Sequence, residues 1–129
     1  MNNSSRIYDL IIVGAGPAGI TAAIYAARKK MDFMVISTNY GGQVVFSSEI
    51  ENYTGFQYIT GEELVRRFQE HLEKYDFKLK MEEVKRIEKD DALFKVITGS
   101  DTYLSKTVIV ATGRKPRELK VPGGEEVKE

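Results

Sequence analysis

The chain contains no cysteine and no tryptophan, and its 129 residues include a single histidine. Without cysteine, these residues can form no disulfide, no zinc–thiolate centre and no redox dithiol. One histidine excludes a histidine-rich metal site, and we expect no bound metal. Neither sign of charge prevails, with 19 basic against 19 acidic side chains. A protein built mainly to bind nucleic acid would carry a basic excess, so we expect no nucleic-acid partner.

Long apolar runs are also missing, and none approaches the ~20 residues that span a bilayer. The apolar run at residues 10–13 stops at Gly14, which makes it too short for the core of a signal peptide. We therefore expect a cytoplasmic protein with no membrane partner. The length and the 42% apolar content suit one globular domain.

Three short apolar segments, at residues 7–13, 33–37 and 107–111, predict buried strands of a parallel sheet. A helix at residues 17–30 separates the first two, since Pro17 suits a first helical position and five alanines follow it. The pattern therefore indicates an α/β fold whose sheet is covered on both faces.

The middle of the chain predicts a long loop, a second helix and a small group of strands. The helix is expected at residues 61–75, preceded by a capping box of Thr60 and Glu63. Turn-forming residues then separate short strand candidates, which predict a small antiparallel meander made of residues 77–81, 83–88, 93–98 and 102–104.

The segment GAGPAG at residues 14–19 matches the pattern G-x-G-x-x-G between a strand and a helix. Gly14 allows a tight turn, Gly16 lets a pyrophosphate approach the backbone, and Gly19 lets the helix pack close to the strand. The free amides and the positive end of the helix dipole would face the phosphates. The motif predicts a dinucleotide-binding site.

The end of the second predicted strand does not say which dinucleotide binds. NAD-binding units usually place an acidic residue there, ~20 residues past the glycine motif, to bind the ribose. Here Ser37, Thr38 and Asn39 occupy those positions, with neither a carboxylate nor an arginine for a 2′-phosphate. Their hydroxyls and amide can bond a ribose, more weakly than a carboxylate would. NAD and FAD both remain open on spacing alone.

Four segments together resemble the N-terminal FAD-binding part of the low-molecular-weight thioredoxin reductase family, which includes a related flavoprotein that reduces peroxiredoxins. The resemblance runs from Ile7 to about Gly124, and its segments, in the family's order, are GAGPAG with TAAIYAAR at 14–28, GGQ at 41–43, EIENYTGF at 49–56 and VATG at 110–113. It implies a Rossmann-like fold that binds FAD and is incomplete within this chain.

The resemblance also implies a role for individual residues. Gly14, Gly16, Pro17 and Ala18 would line the pyrophosphate, Ser37 and Thr38 would lie near the adenosine ribose, and Val84 would meet the adenine through its backbone. Gly42, Gln43 and Val44 would approach the ribityl chain and the flavin, and Asn52 would hydrogen-bond near the flavin ring. Ala111, Thr112 and Gly113 would close over the cofactor. No residue of this chain is implied as a catalytic nucleophile or acid. One departure is that Thr38 stands where many family members have a glutamate.

The resemblance implies a larger parent protein, a homodimer that passes electrons from NADPH through FAD to a redox dithiol. The dithiol would then reduce a small disulfide protein such as thioredoxin, or a peroxiredoxin system. Residues 1–6 are expected to be a disordered start, residues 7–114 the FAD-binding domain, and residues 115–129 a linker toward an NADPH-binding domain. The alternative is a stand-alone, non-catalytic module that binds FAD or NAD.

Overall fold

The computed structural model describes residues 6–114, in which two helices and eight strands form. Of the expected disordered start at residues 1–6, all but Arg6 lie outside this range, as does the expected linker at residues 115–129. In chain order the elements are β1 (Ile7–Tyr8), β2 (Leu10–Val13), α1 (Pro17–Arg28), β3 (Phe33–Ser37), a 3₁₀ turn (Gly42–Phe46), α2 (Gly61–Leu72), β4 (Lys78–Met81), β5 (Val84–Asp90), β6 (Leu93–Thr98), β7 (Thr102–Ser105) and β8 (Val108–Val110).

The parallel sheet has the strand order β4-β3-β2-β8. From β2 the chain passes through α1 to β3 on one side, and it returns later to add β8 on the other side. The order therefore reverses at β2. In open α/β sheets the crevice beyond the carboxyl ends of the strands at such a reversal is where ligands bind.

Both faces of the central strands are covered, as the sequence predicts. Side chains alternate along β2, so that Ile12 packs with Ala23 of α1 while Ile11 packs with Val96 and Tyr103 of the second sheet. All five are almost fully buried. The chain thus forms three layers, with helices, parallel sheet and second sheet in that order.

The second sheet confirms the predicted meander for three strands and corrects its first member. β5, β6 and β7 pair antiparallel in sequence order, and β1 joins β7 in parallel. The segment at 77–81, expected in this meander, instead pairs in parallel with β3, with Ser37 opposite Met81. The reason is that α2 serves as the crossover of a β-α-β unit, and Phe77 and Leu79 pack on the helix side of the sheet.

The predicted strand at 7–13 divides into β1 and β2 at Asp9, and the two halves belong to different sheets. The Asp9 amide donates to the carbonyl of Asp32, while its own carbonyl accepts from the Thr107 hydroxyl. These bonds bend the chain out of one ladder and into the next. The single apolar run therefore serves two sheets.

The expectation of a buried strand at 107–111 is wrong for its outer residues. β8 pairs with β2, yet Ile109 is 41% exposed and Val110 is 63% exposed. Within residues 6–114, β8 is an edge strand with no neighbour on its outer side. Its apolar side chains therefore form an exposed patch.

Both helices in this part of the chain have twelve residues, and neither is long and apolar enough to cross a membrane.

Replacing Gly19 with alanine tests the close approach of α1 to the sheet. A Cβ at Gly19 would overlap the carbonyl oxygen of Gly14. We expect G19A to lower the free energy of unfolding by about 1–3 kcal/mol, although alanine is the better helix former by about 1 kcal/mol. Urea denaturation measures it. The control is G99A, because a Cβ at Gly99 meets no atom within 4 Å; equal stability of the two variants would contradict the packing argument.

The edge strand β8 should make the chain self-associate, since unpaired strand edges with apolar side chains pair with other copies. Val110→Thr keeps a β-branched side chain and should reduce association, which sedimentation velocity over a concentration series would show. Val45→Thr, at an exposed valine outside the patch, is the matched control. A wild-type chain that stays monomeric at high concentration would refute this expectation.

Candidate functional site

Helix α1 begins without a capping side chain at the crevice where the strand order reverses. Its N-cap residue is Gly16, no side chain accepts its first amides, and no acidic residue lies in its first turn. Helix α2 is the opposite case, because the Thr60 hydroxyl accepts from the Glu63 amide at 3.1 Å and two glutamates occupy its first turn. The start of α1 is therefore left with donor groups and a positive dipole end to offer an anion.

A second glycine turn faces the first. The Gly41 amide donates to the Ala15 carbonyl at 2.7 Å, and the Gly42 amide donates to Asn39 Oδ1 at 3.0 Å. Gly42 has a φ of +73°, and a Cβ there would lie 2.8 Å from the Cα of Gly16. Two backbone segments without side chains thus approach each other at the start of α1, and no Cβ of theirs projects into the space above them.

Helix α2 holds the second glycine turn from behind. Gln69 Nε2 donates to the Tyr40 carbonyl at 3.0 Å, and Val65 packs so closely that a Cβ at Gly41 would lie 2.7 Å from its Cγ1. Burial, followed by the nearby Glu73 carboxylate, raises the pKa of Tyr40 to about 12. The phenol therefore stays neutral at ordinary pH and keeps its contact with α2.

A cleft of about 650 Å³ opens above these turns, at the carboxyl ends of the parallel strands. It brings together every residue of the sequence-predicted site except one: Gly14, Gly16, Pro17, Ala18, Ser37, Thr38, Gly42, Gln43, Val44, Val84, Ala111, Thr112 and Gly113. Asn52 is the exception, since it is exposed in the loop before α2 and does not line the cleft. The contact of each of these residues with a cofactor stays a prediction.

The cleft wall includes Asn39, which the sequence analysis considered at the end of the second strand, and three charged residues that it did not name: Glu82, Glu83 and Arg114. The two glutamates follow β4 directly. The sequence analysis assigned residues 77–81 to the antiparallel meander. For that reason it did not place Glu82 and Glu83 at the carboxyl edge of the parallel sheet. An apolar alternation at Phe77 and Leu79 after a capped helix is the signal that would have shown β4 to be a parallel strand.

Glu82 is committed to a local network rather than to the cleft. Its carboxylate accepts from the hydroxyls of Ser100 at 3.0 Å, Thr98 at 3.2 Å and Tyr103 at 3.3 Å. Burial, with the Glu82 and Asp101 carboxylates, raises the pKa of Tyr103 far above its usual value. The phenol therefore remains a donor, and the network ties the end of β4 to the hairpins. No group of three potential metal ligands occurs within residues 6–114.

The strand order, the uncapped helix and the paired glycine turns define a Rossmann-like dinucleotide-binding domain. The family model "Pyridine nucleotide-disulphide oxidoreductase" matches residues 8–129. The chain is 40% identical to thioredoxin reductase of Mycolicibacterium smegmatis over 127 residues, which are 97% of this chain and 41% of the relative. It is 38% identical to an NADH dehydrogenase of Bacillus subtilis over 94% of this chain and 24% of the relative.

Among solved structures, thioredoxin reductase from Lactococcus lactis superposes with a TM-score of 0.85 at 41% identity, covering 92% of this chain and 40% of that one. The chain belongs to the pyridine nucleotide-disulphide oxidoreductase family. It spans about two fifths of the length of the thioredoxin reductases it matches. The match confirms the resemblance and the fold class.

Replacing Gly42 with alanine tests the contact between the two glycine turns. G42A carries the cost of a left-handed side-chain residue and an overlap with Gly16, whereas G113A carries only the first, because Gly113 has a similar φ of +65° and open space around it. We expect G42A to be less stable than G113A by at least about 1 kcal/mol in urea denaturation. Equal losses would show that the turns do not depend on this contact.

Proposed function

We propose that this chain is the FAD-binding part of an NADPH-dependent flavoprotein disulfide reductase of the thioredoxin reductase type. The observation that carries the proposal is the cleft above the two glycine turns, where an uncapped helix start meets backbone that has no Cβ. Similar proteins add support, because several of them bear the name thioredoxin reductase.

The residues present fit the diphosphate of FAD. A Cβ at Gly16 would lie 3.5 Å from Gly42, so the missing side chain leaves room that the fold itself does not need. The amides at the start of α1 would donate to phosphate oxygens, as in other helix N-terminal phosphate sites. Asn39 holds the facing turn in shape, which keeps the floor of the cleft open.

The flavin, when bound, supplies the chemistry of accepting a hydride and passing on two electrons. This chain would bind the cofactor and orient its ring. Gln43 and Val44, on the 3₁₀ turn, would lie along the ribityl chain and the ring, and residues 111–113 would close over the cofactor at the end of β8. Asn52 would reach the ring only if the loop before α2 folds toward the cleft.

The proposed parent enzyme would draw electrons from NADPH and deliver them to a redox dithiol outside this chain. Its partner would be a small disulfide protein such as thioredoxin or a peroxiredoxin system, and its assembly a homodimer. We place it in the cytoplasm, where NADPH and reduced thiols are maintained. In this proposal, residues 7–114 form the FAD-binding domain and residues 115–129 lead to the NADPH-binding domain.

A stand-alone dinucleotide-binding module is not favoured, because the matching thioredoxin reductases are much longer than this chain. Sequencing the gene beyond the codon for Glu129 separates the two. A reading frame that continues into Cys-x-x-Cys supports the reductase. Purified parent protein should then show flavin absorbance bands and should oxidise NADPH in the presence of thioredoxin or a peroxiredoxin.

Gly16→Ala tests the diphosphate site directly. The free energy of unfolding of the variant should lie within about 1 kcal/mol of the wild-type value, because the new methyl meets Gly42 at an ordinary contact distance. Its dissociation constant for FAD should rise by at least about ten-fold, since the methyl takes the space of the phosphates. Quenching of flavin fluorescence measures binding. G99A is the control, and FAD affinity that is equal in G16A and wild type would refute the assignment.

A further inference from the structure

The proposed site has no obvious acceptor for the adenosine ribose at the end of β3. Ser37 is buried and its hydroxyl accepts from the Asn39 amide at 3.4 Å, while Asn39 Oδ1 accepts from Gly42. Thr38 offers only a neutral hydroxyl. Ribose hydroxyls are donors that bond most strongly to a charged acceptor, and dinucleotide sites of this fold usually provide a carboxylate there.

The neighbouring strand brings a carboxylate to the same edge. β3 and β4 are parallel, with Ser37 opposite Met81, so the residues after Met81 leave the sheet beside Thr38 and Asn39. Those residues are Glu82 and Glu83, and both line the cleft. The position that lacks an acid on one strand is therefore adjacent to two acids on the next.

Only one of these two acids is available. The Glu82 carboxylate already accepts from three hydroxyls of the second sheet. The Glu83 side chain is 65% exposed and has an ion-pair contact with Lys85 at 3.4 Å. A surface ion pair of this kind contributes about 0–1 kcal/mol, so Glu83 can exchange it for a ligand at little cost.

We propose that Glu83 is the ribose acceptor of this site, its carboxylate taking a hydrogen bond from a hydroxyl of the adenosine ribose. The assignment rests on the proposed dinucleotide function and deepens it. It moves the acidic ribose contact from the second strand to the neighbouring strand β4. It also makes the ribose pocket unfavourable for a 2′-phosphate, which would bring more negative charge to Glu83.

The experiment compares ADP with 2′,3′-dideoxy-ADP by isothermal titration calorimetry, because ADP carries the diphosphate, the ribose and the adenine. Glu83→Gln also removes a negative charge beside an anionic ligand, and that effect is the same for both nucleotides. The ratio of their dissociation constants therefore isolates the ribose hydroxyls. Wild type should bind ADP more tightly than 2′,3′-dideoxy-ADP. In E83Q the ratio of the two dissociation constants should be about ten-fold closer to one.

Glu88→Gln is the matched control. Glu88 is an exposed carboxylate on β5, the strand that follows Glu83; it is paired with Arg86 two residues away as Glu83 is with Lys85, and it lies outside the cleft. E88Q should keep the wild-type ratio. An unchanged ratio in E83Q, or an equal loss for both nucleotides, would overturn the assignment.

FAD binding by the same preparations, followed through flavin fluorescence, separates the two proposals. Wild type that binds neither FAD nor ADP overturns the proposed function and the ribose assignment together. Wild type that binds both while E83Q keeps the full preference for ADP overturns only the role of Glu83. Thermal unfolding of E83Q and E88Q shows that both variants are folded.

Discussion

The close approach of two backbones without side chains is the contact on which the site depends. Gly16 is the N-cap of α1 and Gly42 begins the 3₁₀ turn. A Cβ at Gly42 would lie 2.8 Å from the Cα of Gly16, whereas a Cβ at Gly16 would meet Gly42 at 3.5 Å, an ordinary contact distance. One turn connects β2 to α1 and the other is held against α2 by Gln69. The two halves of the helical layer therefore meet at the floor of the cleft.

This arrangement explains why one helix is capped and the other is not. α2 supports the fold, and its first turn is satisfied by Thr60 and carries two glutamates. α1 has neither feature, although its axis starts at the reversal point of the sheet. An uncapped helix start costs stability in isolation and becomes favourable when an anion satisfies its amides. The positive end of the α1 dipole is thus left without a capping side chain.

The two adjacent glutamates at the cleft differ in their contacts, because Glu82 is hydrogen-bonded within the fold and Glu83 is exposed. Glu82 and Tyr103 form part of a network that joins the parallel sheet to the hairpins, and burial beside carboxylates keeps the phenol protonated. Glu83, one residue later, has its carboxylate at the surface of the cleft. Adjacent residues on a chain leaving a strand point in different directions, so one glutamate can secure the fold while the next meets solvent or ligand.

Local patterns were enough to predict β3, the starts of both helices and the glycine turn at Gly14, because each depends on nearby residues: an apolar run, a cap, a φ that only glycine tolerates well. The glycine motif and the end of β3 placed part of the cleft, and the resemblance to the thioredoxin reductase family supplied most of its other residues. Tertiary structure decided which strands pair with one another and which sheet edge stays exposed, because local patterns do not contain that information. Asp9 splits one run between two sheets, β4 joins the parallel sheet, and β8 keeps an exposed edge. Strand pairing depends on partners far along the chain, and for that reason only the pairing of β3 with β4 brings an acid to the end of β3, where we propose that the ribose binds.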